Sequence, residues 1–284
     1  MAAPNIALDI RIARPSDAKL VARLCRRAVG PGDYVLRILS ETIADRGLFL
    51  VWRNGELVGM TNLDRCIDGA GWLSMARTDP NWRRKGVTLF LQRHVIAHAR
   101  RRGIRALRLW TLSTNTVSIK ACMKGGFKPV CESAHVSCSI GAKRKPRQLA
   151  PLSLRATSSL KFVLESSYLV KMNGYFAYKW YFVKANRELL EKLLRKGELY
   201  WDGKSAFILT KPERSFGVPY SSVALLHGQV GPSLRKVKEA AKGFGRIWLG
   251  LYLPYDVNLL NAARRTGFKR DPWAEHCIVF EKET

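Results

Sequence analysis

The stretch "DPNWRRKGVTLFLQRHVIAHARRRG", Asp79 to Gly103, decides how the first half of the chain is read. An Asp-Pro turn leads into three consecutive cations, Arg83, Arg84 and Lys85, and then into Gly86. Past the glycine, apolar residues recur at helical spacing up to a basic run and a closing glycine. The first amides of a helix have no intrahelical acceptor and sit at the positive end of its dipole. A glycine there lets the backbone approach a ligand closely, so the element reads as an anion cradle suited to a pyrophosphate. Arg84 and Lys85 can add side-chain charge around it. The pattern Arg83-x-x-Gly86-x-Thr88 is neither a Walker loop, since no Gly-Lys-Ser/Thr follows, nor a GxGxxG fingerprint. A solvated basic turn is the competing reading of the same residues.

The flanking sequence supplies context. "IALDIRIARP" alternates as a strand, and "SDAKLVARLCRRAVG" has helical spacing with Ser16 or Asp17 as N-cap. A second helix is expected across Asp33–Asp45. "LFLVWRNGELVGMTNLD" reads as two strands joined at Asn54-Gly55, a strong hairpin signal. "GWLSMART" is a strand that ends at Thr78, just before the cradle. "RALRLWTLS" is a strand, "TNTVSIKACMKGGF" a helix stopped by glycine, and "KPVCESAHVSCSI" a last strand. The order β-α-α-β-β-β-α-β-α-β predicts an α+β fold: a mixed, mostly antiparallel sheet flanked by helices.

"GAKRKPRQLAPLS", Gly141 to Ser153, is basic, holds two prolines and lacks an apolar period, so it reads as a linker. The expected domains are therefore 1–140 and 154–284, with 141–153 between them. In the second half, "YFAYKWYFV" (Tyr175 to Val183) reads as one strand, aromatic on both faces. "NRELLEKLLRKG" is an amphipathic helix, "ELYWDGKSAFIL" an Asp-Gly hairpin, and strand-helix alternation continues to "EHCIVFEK". The two halves echo each other. "WTLSTNTVSIKACMKGGFK" and "GLYLPYDVNLLNAARRTGFK" align back from Gly126-Phe127 and Gly267-Phe268, matching Asn115 with Asp256. This implies one fold used twice.

The bulk properties narrow the class. The chain has 284 residues with ordinary globular usage, 47% hydrophobic and 25% charged, which excludes a disordered chain. The longest apolar run, Leu48 to Trp52, is far shorter than a membrane span. No leader pattern precedes the first strand. Six cysteines lie scattered without a CxxC pair, which points to reduced thiols, no zinc site and a soluble cytoplasmic protein. His94 and His98 share a helix face, but "HVIAH" lacks the Glu of HExxH and no third ligand is apparent, so no metal is expected. A net charge of +27, spread along the whole chain, favours polyanionic partners.

With this layout the first 140 residues resemble the GNAT superfamily of acyl-CoA-dependent N-acyltransferases. Its pyrophosphate loop, Arg/Gln-x-x-Gly-x-Gly/Ala after a Val-x-Pro-x-x lead, is matched by Pro80, Arg83 and Gly86, with Thr88 and Thr78 as departures. Its second signature, Asn-x-x-Ala-x-x-x-Tyr-x-Lys-x-Gly-Phe, is matched by Asn115, Lys124, Gly126 and Phe127, with Ser118 in place of Ala. The resemblance implies acetyl-CoA as cofactor and direct attack of a neutral amine on its thioester. It implies that the backbone of Ala76, Arg77 and Thr78 pairs with the pantetheine arm. Arg83, Arg84, Lys85, Gly86, Val87 and Thr88 would surround the pyrophosphate, and Asn115 and Ser118 would flank the pantetheine. The second half lacks the loop pattern, since Pro232 follows Gly231 and removes an amide. It is expected to be a degenerate copy that does not bind CoA.

Catalysis is less legible. Where the family keeps a tyrosine that protonates the departing thiolate, this chain has Cys122, read as a stand-in general acid, with a buried filler as the alternative. "GWLSMART" carries no carboxylate, so the base candidates are Asp64, Asp68, Glu132 and His135. An α-amino group near pKa 8 needs no dedicated base. The positive field favours an acidic protein or peptide acceptor. Nucleic acid is the other polyanion considered, with "YFAYKWYFV" as a stacking strand. The rival class is a polyanion-binding protein on the same scaffold that has lost catalysis.

Overall fold

The computed structural model describes residues 8–141, 160–215 and 217–284. The expected linker lies outside the described residues except for Gly141. Two compact units result. Unit 1 comprises residues up to Leu109, Val117–Lys128 and Glu281–Thr284; unit 2 comprises Trp110–Thr116 and Pro129–Phe280.

Unit 1 opens with β1 (Asp9–Ile12), α1 (Ala18–Ala28) and α2 (Val35–Ala44). Asp17 precedes α1, but its carboxylate takes the Arg14 amide (2.7 Å) and the Arg11 guanidinium (2.6 and 2.8 Å), so it pins the chain entering α1. β2 (Leu48–Arg53) and β3 (Glu56–Arg65) follow, joined at Asn54 and Gly55, whose φ values of 47° and 77° fit the twist of a tight hairpin. Then come β4 (Gly71–Thr78), α3 (Val87–Arg101), β5 (Ala106–Leu112) and α4 (Thr116–Lys124). The strands lie in chain order, β1 to β5. Neighbours are antiparallel except β4 and β5, which are parallel.

Alternation along β2 sorts the helices. Leu48 and Leu50 join Val21, Leu24, Val35 and Leu39 in a core under α1 and α2. Phe49 points the other way, with its ring 5.0 Å from His98 and 6.0 Å from His94 of α3. These two histidines therefore pack on an aromatic side chain. α3 buries Val87, Leu91, Val95 and Ala99, one residue per turn. Its approach is close: a Cβ added to Gly59 on β3 would lie 2.6 Å from Val87, so only glycine fits there.

Unit 2 begins with β6 (Lys128–Ile140), followed by α5 (Leu160–Leu164), α6 (Ser167–Lys171), β7 (Tyr175–Tyr178) and β8 (Tyr181–Lys184). After α7 (Arg187–Arg195) come β9 (Leu199–Trp201), β10 (Ala206–Leu209), β11 (Glu213–Ser215) and β12 (Val218–His227). α8 (Val230–Ala241), β13 (Ile247–Pro254), α9 (Val257–Arg265), β14 (Lys269–Arg270) and β15 (Cys277–Glu283) complete the chain. The predicted repeat is visible as geometry. β5-α4 and β13-α9 both end in a left-handed glycine, Gly126 at φ 81° and Gly267 at φ 86°. The next amide, of Phe127 or Phe268, turns back to the Cys122 or Ala263 carbonyl.

Two expectations are corrected. "YFAYKWYFV" is two strands: β7 and β8 fold back antiparallel with Tyr178 opposite Tyr181, because Lys179 takes φ 59° in the turn. Tyr175, Phe176, Tyr178, Phe182 and Val183 are buried, and Trp180 stacks on Tyr220, so the segment offers no stacking platform. The unit boundaries also differ from 1–140 and 154–284. β6, encoded in the first half, pairs antiparallel with β13 from Ser133↔Pro254 to Ile140↔Ile247, within unit 2. Conversely, the last residues of the chain close unit 1, where the Thr284 amide donates to the Arg105 carbonyl at 3.0 Å.

Candidate acyl-CoA site

At the expected cradle the chain forms a tight turn whose shape is set by the backbone. After β4, Asp79 is 1% exposed and accepts the Asn81 amide (3.0 Å), setting a short 3-10 turn over Pro80–Trp82. Arg84 then takes φ 62° and Gly86 φ 83° before α3 starts at Val87. Left-handed residues alternating in a turn aim successive amides into one concavity, which binds anions. Among the described residues no side chain caps the α3 N-terminus, which leaves its first-turn amides available to a ligand. Thr78 and Thr88, the two positions that depart from the family pattern, bring their hydroxyls within 3.3 Å and tie strand end to helix start.

The side chains behave differently from the expectation of three charges around a phosphate. Arg83 turns back to the Ala28 carbonyl at the end of α1 (2.8 Å). Lys85 lies 4.9 Å over the Trp82 ring. Arg77 is bound through Nε and Nη2 to Asp33 (both 2.8 Å), which leaves only its backbone for a ligand. Burial pushes the Asp33 carboxyl up, but the Arg77 guanidinium outweighs it and holds the carboxyl below its ordinary range. Of Arg83, Arg84 and Lys85, Arg84 is the exposed cation whose side chain has no partner among the described residues.

β4 is shaped for an extended ligand. It pairs with β5 only at Gly71↔Leu107 and Trp72↔Arg108, so its edge beyond Leu73 is open. Opposite β3 the register jumps between Met60↔Arg77 and Asn62↔Ser74, which leaves Met75 and Ala76 as a bulge with Met75 at φ 56°. A bulge re-aims backbone groups and recurs beside active sites. Ala76, Arg77 and Thr78 thus lie on an open, bulged edge leading into the cradle. Ser118 is on α4 and hydrogen-bonds Cys122. Asn115, whose amide closes on the Leu112 carbonyl (3.0 Å), is grouped with unit 2.

The acid and base candidates separate clearly. Cys122 is 3% exposed, and burial pushes its thiol up to about 11 although Ser118 pulls it back. Asp68 meets Arg108 at 2.5 Å, and Glu281 takes the same guanidinium at 2.5 Å, a buried clamp on β5. Glu132 is 2.7 Å from His276. His135, 2% exposed, meets Asp271 at 2.7 Å under Trp273. Asp64 stands apart: burial pushes its carboxyl up, and its hydrogen-bond partner is Asn62, not a cation. In unit 2 the start of α8 borders a separate pocket of about 530 Å³, and Pro232 removes one of the amides there.

Residues 21–127 match the family model described as the acetyltransferase (GNAT) family. They are a GNAT acetyltransferase domain. The bulged strand, the cradle and the Gly-Phe helix end all lie within this match, and the GNAT domain makes the protein an N-acetyltransferase that uses acetyl-CoA. Three solved structures share the fold along nearly the whole chain. A protein assigned as an acetyltransferase from Thermoplasma acidophilum is 16% identical, with TM-score 0.60, covering 97% of this chain and 100% of its own. One from Pyrococcus horikoshii is 13% identical, with TM-score 0.54, covering 98% and 89%. A GCN5-related N-acetyltransferase from Sphaerobacter thermophilus is 12% identical, with TM-score 0.54, covering 99% and 96%. At such identities the likeness is one of fold. Among curated proteins none matches the chain significantly. No helix of the described residues is long and apolar enough to cross a membrane.

Proposed function

We propose that the GNAT domain transfers acetyl directly to a primary amine of a protein or peptide. The observation that carries this is the backbone cradle at Arg84–Thr88, placed at the end of the bulged open edge of β4. Acetyl-CoA supplies an activated thioester. The chain's own part is to hold it: cradle amides on the pyrophosphate, the edge from Ala76 to Thr78 along the arm, and Ser118 beside it. The bulge at Met75–Ala76 turns backbone groups toward the opening, where a carbonyl becoming an oxyanion would find them.

Proton transfer needs little from the protein on this reading. Asp68, Glu132 and His135 are each committed to a partner. On this reading Cys122, which is 3% exposed, acts as a buried filler and not as the proton donor. An α-amino group near pKa 8 loses its proton to water without a base. The positive field of the chain favours acidic acceptors. All six cysteines are buried and none is in a disulfide, which suits a cytoplasmic enzyme.

The test is radiolabelled acetyl-CoA against acidic and basic peptides with free α-amines, scored across pH. Acetylation of acidic peptides, rising with pH to a single plateau near the amine pKa, is the expected result. Transfer to small amines alone, or a bell-shaped profile, overturns the reading.

A further inference from the structure

Between Pro80 and Cys131 the sequence holds twelve Lys and Arg and not one Asp or Glu. The fold gathers this stretch: it builds α3, α4 and the turns at their ends, all within unit 1 except Trp110–Thr116 and Pro129–Cys131. The described carboxylates of unit 1 come from residues before Pro80 and from the last strand. This acid-free stretch alone supplies 12 of the chain's 49 cations.

A groove of about 410 Å³ runs between α3 and the end of α4. Its floor is aliphatic, with Leu89 and Ile96, and its rim carries Arg93, Arg100, Lys124 and Lys282. Arg93, Arg100 and Lys124 are exposed and have no ion-pair partner among the described residues. Lys282 is fixed to the Gly125 carbonyl at 2.8 Å. Its strand neighbours Glu281 and Glu283 point to the opposite side by alternation, and Glu281 is already bound to Arg108. At the base, Gln92 is 9% exposed and lines the groove, with its Oε1 against Gly125 and without a hydrogen-bond partner among the described residues.

The chemistry selects the partner. Protein interfaces draw most of their binding energy from a few buried anchors enriched in aromatic residues, and this groove has no aromatic side chain in its lining. A polyelectrolyte needs only a row of unpaired cations, because it gains by releasing condensed counterions. Arg93 and Arg100 lie seven residues apart on α3, about 10 Å along the helix, and guanidinium groups match phosphate in a bidentate way. We propose that this groove docks the phosphodiester backbone of a single nucleic-acid strand, separately from acetyl transfer.

The experiment is fluorescence anisotropy of a labelled 20-nucleotide oligouridylate with the full chain, titrated with salt. Binding is expected to weaken linearly in log–log form. The triple variant Arg93→Gln/Arg100→Gln/Lys124→Gln should bind at least tenfold more weakly, with a slope flatter by about 2, at ~0.7 per single-strand contact. Its thermal midpoint reports folding, which substitutions at exposed positions leave intact. Gly86→Ala should weaken CoA binding and leave oligouridylate binding unchanged. The proposal is overturned if the wild-type chain shows no salt-dependent binding, or if the triple variant binds as tightly as wild type. Equal competition by oligoglutamate would instead make the groove a dock for acidic proteins. Loss of CoA affinity in the triple variant, with 3′-dephospho-CoA affinity retained, would assign it to the cofactor. Because the readout is binding, none of these outcomes bears on whether the GNAT domain acetylates amines.

Discussion

Gly86→Ala isolates what the cradle contributes. Gly86 sits at φ 83°, and a Cβ added there meets no atom within 4 Å. The protein therefore loses stability through the backbone alone, about 1–2 kcal/mol for a left-handed non-glycine residue. For a chain of this size that lowers the thermal midpoint by roughly 3–6 °C. The new methyl occupies the open space over the converging amides, where a pyrophosphate would sit. Displacing one charge-assisted backbone hydrogen bond costs about 2 kcal/mol, roughly a 30-fold loss of CoA affinity. Arg84→Gly provides the opposite sign. Arg84 already bears the left-handed penalty at φ 62°, so glycine relieves it while adding ~0.5–1 kcal/mol of unfolded-chain entropy. Its midpoint should hold or rise, and CoA binding should weaken only by the loss of one exposed charge. Calorimetric titration with CoA and thermal unfolding measure both. Unchanged CoA affinity in Gly86→Ala, or equal midpoint losses in the two variants, would refute the backbone cradle.

Cys122→Ala should keep kcat within about twofold and lose ~1 kcal/mol of stability as a small buried cavity. A kcat loss beyond tenfold at unchanged KM would restore the thiol as proton donor. Iodoacetamide at pH 8 should leave native Cys122 unmodified, because burial keeps the thiol protonated up to about 11; rapid alkylation, mapped by mass spectrometry, would contradict that. Asp33 supplies a pH test with a sign. Its folded pKa is lowered, so its contribution is present above the unfolded value near 3.9 and is lost as pH falls through the folded one. In Arg77→Gln burial, the largest influence on Asp33, is opposed only by hydrogen bonds from the Val35 amide and the Cys25 thiol, and the folded pKa is expected to rise above the unfolded one. That variant should lose roughly 3 kcal/mol at pH 7 and regain part of it near pH 5, whereas wild type gains nothing there; denaturant midpoints at the two pH values decide it.

Much of the site is local and so was legible. The Asn54-Gly55 hairpin, the Asp79-Pro80 turn, Gly86 at the helix mouth and the Gly-Phe helix ends each depend on residues within a few positions. Backbone preferences there dominate over anything tertiary. Conformations set by packing were not legible. Nothing local says that Lys179 turns the chain between β7 and β8, since the aromatic run suits one strand or two. Nor does the loop sequence show that Arg83 and Lys85 are drawn off by the Ala28 carbonyl and the Trp82 ring.

By itself the sequence determined the strand-cradle-helix order, because steric and dipole effects at a helix start act over one turn; the acyl-CoA chemistry was what the family resemblance of that order implied. Only the tertiary structure decided that β6 joins unit 2 and that the chain's last residues close unit 1. Strand pairing is fixed by long-range register and burial, and two similar edges offer a strand equivalent partners. The same holds for charge. Composition gave a basic chain, and the fold placed Arg93, Arg100 and Lys124 of its acid-free stretch along one groove bordered by α3 and α4.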